Sequence, residues 1–330
     1  MKLPLLAFLL AFAGAGHAQV SATIGASPAE LKALSKRTLV VELPEPNQRV
    51  IAEFPSKNAD AKKAGYEGSL DSYREQIEPA IRKYWTYNKE IEFKTTSEII
   101  ELFKEKNPKY VALMKVVLAD GGGAYAYSFG LGVPALVFTA TDGASKVNKN
   151  GQMTLTNWDF QAYLATTPTN YGREDYSEAS MKFTLVQAQK LLEWNTAAGN
   201  KKSENFIKYA KDQSEKNCAK LTSKKLLIDK QDLSKKMSPA DATASYGRNL
   251  ELVEPSELES AYINGDTERA VLFSVPVGIG IGTSVLVEVT NLIYMRVAVD
   301  PSTDQILACI PVSEPPGITK TEMTILKKCK

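Results

Sequence analysis

KEIEFKTTSEIIELFKEKNPKYVALMKVVLADGGG, residues Lys89 to Gly123, decides the fold, because its pattern returns as RNLELVEPSELESAYINGDTERAVLFSVPVGIGIG, residues Arg248 to Gly282. Laid together without a gap at an offset of 159, the two stretches match Glu92 with Glu251, Ser97 with Ser256, Glu98 with Glu257 and Leu113 with Leu272. Val116 falls on Val275, Gly121 on Gly280 and Gly123 on Gly282. The apolar positions follow the same frame: Ile91 and Leu250, Phe93 and Leu252, Ile99 and Leu258, then Val111-Ala112-Leu113 and Ala270-Val271-Leu272. Each copy reads as strand, helix, strand and glycine loop, the mark of an internal duplication.

The flanking segments extend each copy into a larger unit. Ser27-Pro28-Ala29-Glu30 is a capping box with proline in the first turn, so a helix runs to about Lys36. Thr38–Leu43 is a short apolar run stopped by Pro44 and reads as a buried strand; residues 47–68 read as a loop. Leu70, Tyr73, Ile77, Ala80, Ile81 and Tyr84 then recur at helical spacing, with Pro79 inside the pattern as a kink or a late start. After Lys89–Gly123 come a strand over Ala124–Ala140, broken near Gly130–Pro134, and a hairpin signal at Asn150-Gly151. Residues 166–178 are polar and turn-rich. Two helices follow, over Met181–Trp194 and Asn205–Leu221; their Leu185, Leu191, Leu192, Trp194, Phe206 and Ile207 are expected to dock the two units. The second unit opens with a strand at Lys225–Asp229 and a helix capped by Ser238 and Asp241, and closes with strands over Thr283–Val299 and Gln305–Val312.

The expectation is an α/β fold with mixed, α+β-like sheets: two repeated β-α-β-α-β-β units joined by a helical pair. The corresponding segments are a leader over 1–18, a first repeat over 19–166, a linker and helical pair over 167–222 and a second repeat over 223–330.

The leader carries Lys2, an apolar run over Leu3–Ala13 and small residues at Gly16 and Ala18, the pattern of a cleaved export signal. Its apolar run is shorter than the roughly 20 residues a spanning helix needs, and no later stretch reaches that length, so no transmembrane segment is expected in the mature chain. The protein is expected to be exported, as a periplasmic or secreted chain. Cleavage also removes His17, the one histidine in the sequence, and with it every Ser-His, Cys-His and His-metal arrangement. With 40 Lys and Arg against 38 Asp and Glu, and no basic block, the chain has no electrostatic footprint for nucleic acid. Cys218, Cys309 and Cys329 are an odd number, so one thiol is left over. Cys309 and Cys329 close the shortest loop and are the expected pair; the alternative is that all three are small core residues.

Chemistry-bearing motifs are few. Gly278-x-Gly280-x-Gly282 has the spacing of a dinucleotide fingerprint, but that motif opens a helix, and Thr283–Val287 reads as a strand. No Gly-Lys-Ser/Thr follows it, and there is no Gly-x-Ser-x-Gly elbow and no Ser-x-x-Lys dyad. No cofactor, metal or catalytic residue is therefore assigned. The ligand-binding candidates are Gly121, Gly122, Gly123, Gly278, Gly280 and Gly282, at the carboxyl ends of sheet strands, and the aromatic group Tyr84, Trp85 and Tyr87. The function expected is a non-catalytic binding or interaction module of the cell envelope, with an envelope or extracellular protein or a glycan as partner. The alternatives are a histidine-free hydrolase or glycan-acting enzyme using carboxylates, and a small-molecule or glycan-binding protein.

In the order of its elements each half resembles the amino-terminal domain of the TolB type and related envelope α/β domains. With leader, two units and helical pair, the chain is also similar to exported bacterial two-repeat proteins of unknown function. The residues that carry this are Tyr87-x-x-x-Ile91-Glu92-Phe93 and Tyr246-x-x-x-Leu250-Glu251-Leu252. Neither resemblance implies a reaction.

Overall fold

The computed structural model describes residues 26–52, 54, 56–118, 133–143, 146–147, 153–154, 162–164, 176–197, 204–280, 290–313 and 317–329. The leader with His17, the glycines Gly121–Gly123 and Gly282, and the turn at Asn150-Gly151 lie outside the described residues. In chain order the elements begin with α1 (Pro28–Leu34), β1 (Thr38–Leu43), α2 (Gln48–Ala52), α3 (Ala59–Tyr84), β2 (Ile91–Thr95), α4 (Thr96–Glu105) and β3 (Tyr110–Leu118). They continue with β4 (Val133–Ala140), the short β5 (Lys146–Val147), β6 (Met153–Thr154) and β7 (Ala162–Leu164), then α5 (Glu178–Thr196) and α6 (Phe206–Asn217). The remainder is β8 (Lys225–Asp229), α7 (Pro239–Tyr246), β9 (Leu250–Val253), α8 (Pro255–Ile263), β10 (Arg269–Gly280), β11 (Thr290–Asp300), β12 (Gln305–Ser313) and α9 (Lys320–Lys327). No helix among the described residues is long and apolar enough to cross a membrane.

The α/β class is as expected. One five-stranded sheet has the order β2-β1-β3-β4-β7 and the other β9-β8-β10-β11-β12. In the first, β1 runs parallel to β2 and β3, and β4 is antiparallel to β3 and β7. The second has the same directions: β8 is parallel to β9 and β10, and β11 is antiparallel to β10 and β12. The registers also correspond. Leu39 pairs with Ile91 and Val111, and Leu226 pairs with Leu250 and Ala270. β2 and β9, α4 and α8, and β3 and β10 each begin 159 residues apart.

Strand alternation divides each sheet between two cores. In the first sheet Val40, Ala112 and Met114 meet Ile99 and Phe103 of α4, while Leu39, Val41, Val111, Leu113 and Phe138 face the other way. In the second, Leu226, Ile228, Ala270, Leu272 and Ala298 pack beneath Ala242 and Tyr246 of α7 and Met323 and Leu326 of α9. Val271, Phe273, Val275, Met295 and Val297 join the same core as Leu39 and Leu113. One hydrophobic core thus runs through both sheets.

Helix α5 makes that continuity. It is buried on almost every side, since it contacts α1 and α3 on one flank and α8 on the other. Phe183 packs on Phe273 with ring centroids 4.6 Å apart, and Leu185, Leu191 and Leu192 are fully buried, each stabilising by about 1.5–3 kcal/mol. Its polar side chains reach both sheets' surroundings. Gln189 bonds the Tyr84–Tyr87 segment, Lys182 donates to the Tyr262 carbonyl at 3.0 Å, and Gln187 donates to that of Asp304 at 2.9 Å.

Four local expectations are corrected. Residues 47–68 are not a loop: α2 and the first turns of α3 occupy them, and α3 runs on through Pro79. Those first turns are largely exposed, with Tyr66 half-buried against Phe54, and they carry no apolar period. Gly278 and Gly280 lie within β10, paired with Leu292 and Thr290, so they belong to a strand rather than a loop. Helix α9 was not foreseen, although Thr319 and Glu322 form its capping box. Finally, Cys329 is bonded to Cys218, not to Cys309, which stays free. Ala308 and Cys309 are neighbours on β12 and therefore point to opposite faces; Cys309 packs on the shared core, whereas Cys329 lies with Cys218 in the core beneath α9.

Candidate functional site

Of the aromatic group Trp85 is buried, while Tyr84 and Tyr87 are half-buried. Trp85 donates from Nε1 to Asn88 at 3.1 Å and lies 6.0 Å from the Phe138 ring. Tyr87 is 6.0 Å from the same ring and donates its hydroxyl to the Leu31 carbonyl at 2.9 Å. Tyr84 donates to Glu178 at 2.6 Å beside Lys83. These rings and hydroxyls join α1, α3, β4 and α5.

Two clusters of buried polar groups lie at the carboxyl ends of the parallel strands, where open α/β sheets place ligands. In the first sheet the centre is Glu42 on β1, which has no exposed surface. Its Oε1 accepts from Thr96 Oγ1 at 2.7 Å, and its Oε2 accepts the backbone N–H of Lys115 at 2.8 Å. Burial pushes its pKa up to about 7, against the opposing pull of those two bonds and of the Lys115 charge. The Lys115 ammonium lies 5.0 Å from the Tyr176 ring and 5.6 Å from that of Tyr73, and those two rings meet edge to face at 5.3 Å. Both carboxylate oxygens are thus occupied, and the cation is stacked.

The second sheet repeats the placement with different side chains. Asp229 ends β8 as Glu42 nearly ends β1, four residues after the strand's first pair in each. Ser274 stands on β10, 159 residues after Lys115. It donates to Asp232 Oδ2 at 2.5 Å, and directly opposite it in register is Arg296 on β11. Arg296 is wholly buried and donates from Nε to Glu322 Oε1 at 3.2 Å. The other oxygen of Glu322 accepts the backbone N–H and hydroxyl of Thr319, both at 2.7 Å, in the cap of α9. Burial raises Asp232 to about 6, with the Asp229 charge adding to the rise while Ser274 and Arg296 oppose it. An irregularity in the β11–β12 pairing falls between Tyr294 and Arg296, where β12 carries Pro311, a residue with no N–H for the ladder.

The two clusters differ in one respect. Glu42 is fully hydrogen-bonded, whereas Arg296 Nη1 and Nη2 and Asp232 Oδ1 are buried without a hydrogen-bond partner among the described residues. None of these residues was singled out from the sequence. The available signal was a charge inside an apolar run: Glu42 in Thr38–Leu43, Lys115 in Tyr110–Leu118 and Arg296 in Leu292–Val299. Among the described residues no group of three His, Cys, Asp or Glu could hold a metal ion. The free thiol of half-buried Cys309 is pushed up to about 12 by burial, which keeps it protonated at neutral pH. The chain matches no protein-family model, no curated protein and no solved structure.

Proposed function

We propose that this chain is an exported, non-catalytic binding module of the cell envelope, built from a duplicated α/β unit. The observation that carries it is the condition of the two acids with raised pKa. Glu42 and Asp232 stand beside separate sheets and both are buried; Glu42 is bonded through both oxygens, and Asp232 is fixed through its Oδ2 by Ser274. A carboxylate pair working on a glycosidic bond instead flanks an open cleft from both sides. The leader supports export, and the Cys218–Cys329 bond fits an oxidising compartment. Duplication is supported by the shared strand order, direction and register of the two sheets. The partner is an envelope or extracellular protein, a glycan or a small molecule.

The test uses the mature chain from Gln19 onward, screened by thermal shift against envelope oligosaccharides, short peptides and small metabolite acids, beside a hydrolase panel. Stabilisation by one class without turnover is the expected result. A second reading, carboxylate-dependent hydrolysis, is favoured by the nearness of Asp232 to Asp229 and Ser274. Turnover that Asp232→Asn abolishes would establish it in place of the first.

A further inference from the structure

We propose that the end of the Arg296 guanidinium is a binding site for one small oxyanion, a carboxylate or phosphate group, enclosed between β11, Asp232 and α9. The inference rests on the reading of the chain as a binding module and names the chemistry of its ligand.

Arginine stays charged inside a protein, so a buried guanidinium needs acceptors around it. Arg296 has one, Glu322 Oε1, on its Nε. Nη1 and Nη2 have none among the described residues. These two nitrogens form the planar fork that a carboxylate or phosphate grips with two parallel bonds. Glu322 does not serve the fork as well: its second oxygen is occupied by the Thr319 cap. Asp232 Oδ1 is a further bare atom of the same cluster, while its Oδ2 is fixed by Ser274, the register partner of Arg296. An anion on the fork and an unbonded carboxyl oxygen beside it are compatible when that carboxyl is protonated and donates to the ligand.

The groups acting on Asp232 are Asp229 from β8, Ser274 from β10, and Tyr294 and Arg296 from β11; Glu322 from α9 faces it across Arg296. Its raised pKa means that the proton is already half in place near pH 6. A bound anion raises it further, so binding takes up a proton and tightens as the pH falls. The first sheet has no counterpart. There the residue opposite Lys115 is Leu136, so one site per chain is expected. Because Arg296 has no exposed surface, the ligand enters and leaves slowly.

The experiment titrates the folded, disulfide-intact mature protein with sodium acetate and, separately, with inorganic phosphate, at pH 5 and pH 7.5, by calorimetry and thermal shift. At least one of the two anions is expected to bind saturably, one per chain, at least tenfold tighter at pH 5. Acetate alone points to a carboxylate ligand and phosphate alone to a phosphorylated one. Arg296→Lys keeps the charge but loses the fork, and weakens binding at least tenfold. Asp232→Asn, which mimics the protonated acid, makes the affinity at pH 7.5 match that of the unmodified chain at pH 5. Circular dichroism establishes that both variants fold. The proposal is overturned if neither anion binds saturably to the folded chain at either pH. It is equally overturned if a crystal soaked in whichever anion binds holds only water on the fork. If neither anion binds while a ligand of another class stabilises the chain, this site is refuted and the binding-module reading stands.

Discussion

Gln189 on α5 accepts the backbone N–H of Tyr87 at 3.0 Å through its Oε1, and its Nε2 donates to the carbonyl of Tyr84 at 2.6 Å. The same Oε1 takes the N–H of Thr86, so one buried amide closes three backbone groups at the exit of α3. These groups lie where the chain leaves a helix and has not yet entered β2, so neither ladder can satisfy them. Gln189→Leu keeps the volume and strands all three, and should lower stability by about 3 kcal/mol. Gln189→Glu retains the acceptor and should fall between. Urea denaturation with an unchanged m-value checks this; a Leu variant as stable as the parent would mean the segment finds other partners.

The frame of the fold was legible because strand and helix edges around both sheets are marked chemically. Capping boxes at Ser27, Thr95 and Ser238 fix where α1, α4 and α7 begin, and the shared spacing of Lys89–Gly123 and Arg248–Gly282 recurs in the element starts. What escaped depends on tertiary contacts. The polar first half of α3 has no apolar face, and Gly278 and Gly280 become strand residues because β11 lies opposite them. The site was illegible for a related reason. Arg296, Ser274, Asp232 and Glu322 come from β11, β10, the turn after β8 and α9, and only the cross-strand register brings the first two together.

The disulfide closes a separation of 111 residues, between the end of α6 and the last residues of the chain. Loop-closure entropy puts its contribution at about 4–5 kcal/mol, an upper value since the unfolded chain is not random. Cys218→Ser or Cys329→Ser should each lower stability by a large part of that, while Cys309→Ser has a small effect. Unfolded, unreduced protein should titrate one thiol per chain, and that thiol should be unreactive in the native state because burial holds it near 12. Peptide mapping that recovers Cys309 linked to Cys329 would refute the pairing.

Glu42 gives the fold a pH dependence with a definite sign. Burial raises it from an ordinary 4.5 to about 7, so the folded protein holds a proton that the unfolded chain has already released. Its stabilising contribution is complete below the unfolded value and is lost as the pH climbs through about 7. Glu42→Gln copies the protonated form: its amide oxygen can accept from Lys115 N–H while its amide nitrogen donates to the Thr96 hydroxyl. The variant should match the parent near pH 4 and be more stable at pH 8 by something on the order of 3 kcal/mol. Two stability curves that stay parallel from pH 4 to pH 8 would place the titration elsewhere.

Two glycines make a paired prediction in which the same substitution has opposite signs. A Cβ on Gly317 would lie 2.5 Å from Ser234 Cα and 2.6 Å from its backbone nitrogen, and neither atom can yield without moving the chain. That contact is stitched on both sides: Ile318 N–H donates to the Asp232 carbonyl at 2.7 Å, and Ser234 N–H donates to the Ile318 carbonyl at 3.0 Å. The stitch holds Thr319 and Glu322 over Arg296, so Gly317→Ala should cost about 1–3 kcal/mol and speed amide exchange at Ile318 and Ser234. Gly68 sits in α3 with nothing within 4 Å of a built Cβ. There alanine relieves only the conformational freedom of the unfolded chain, and Gly68→Ala should stabilise by about 0.5–1 kcal/mol. Equal shifts from the two variants would show that backbone entropy governs both positions, and that α9 is not held by the approach of Gly317 to Ser234.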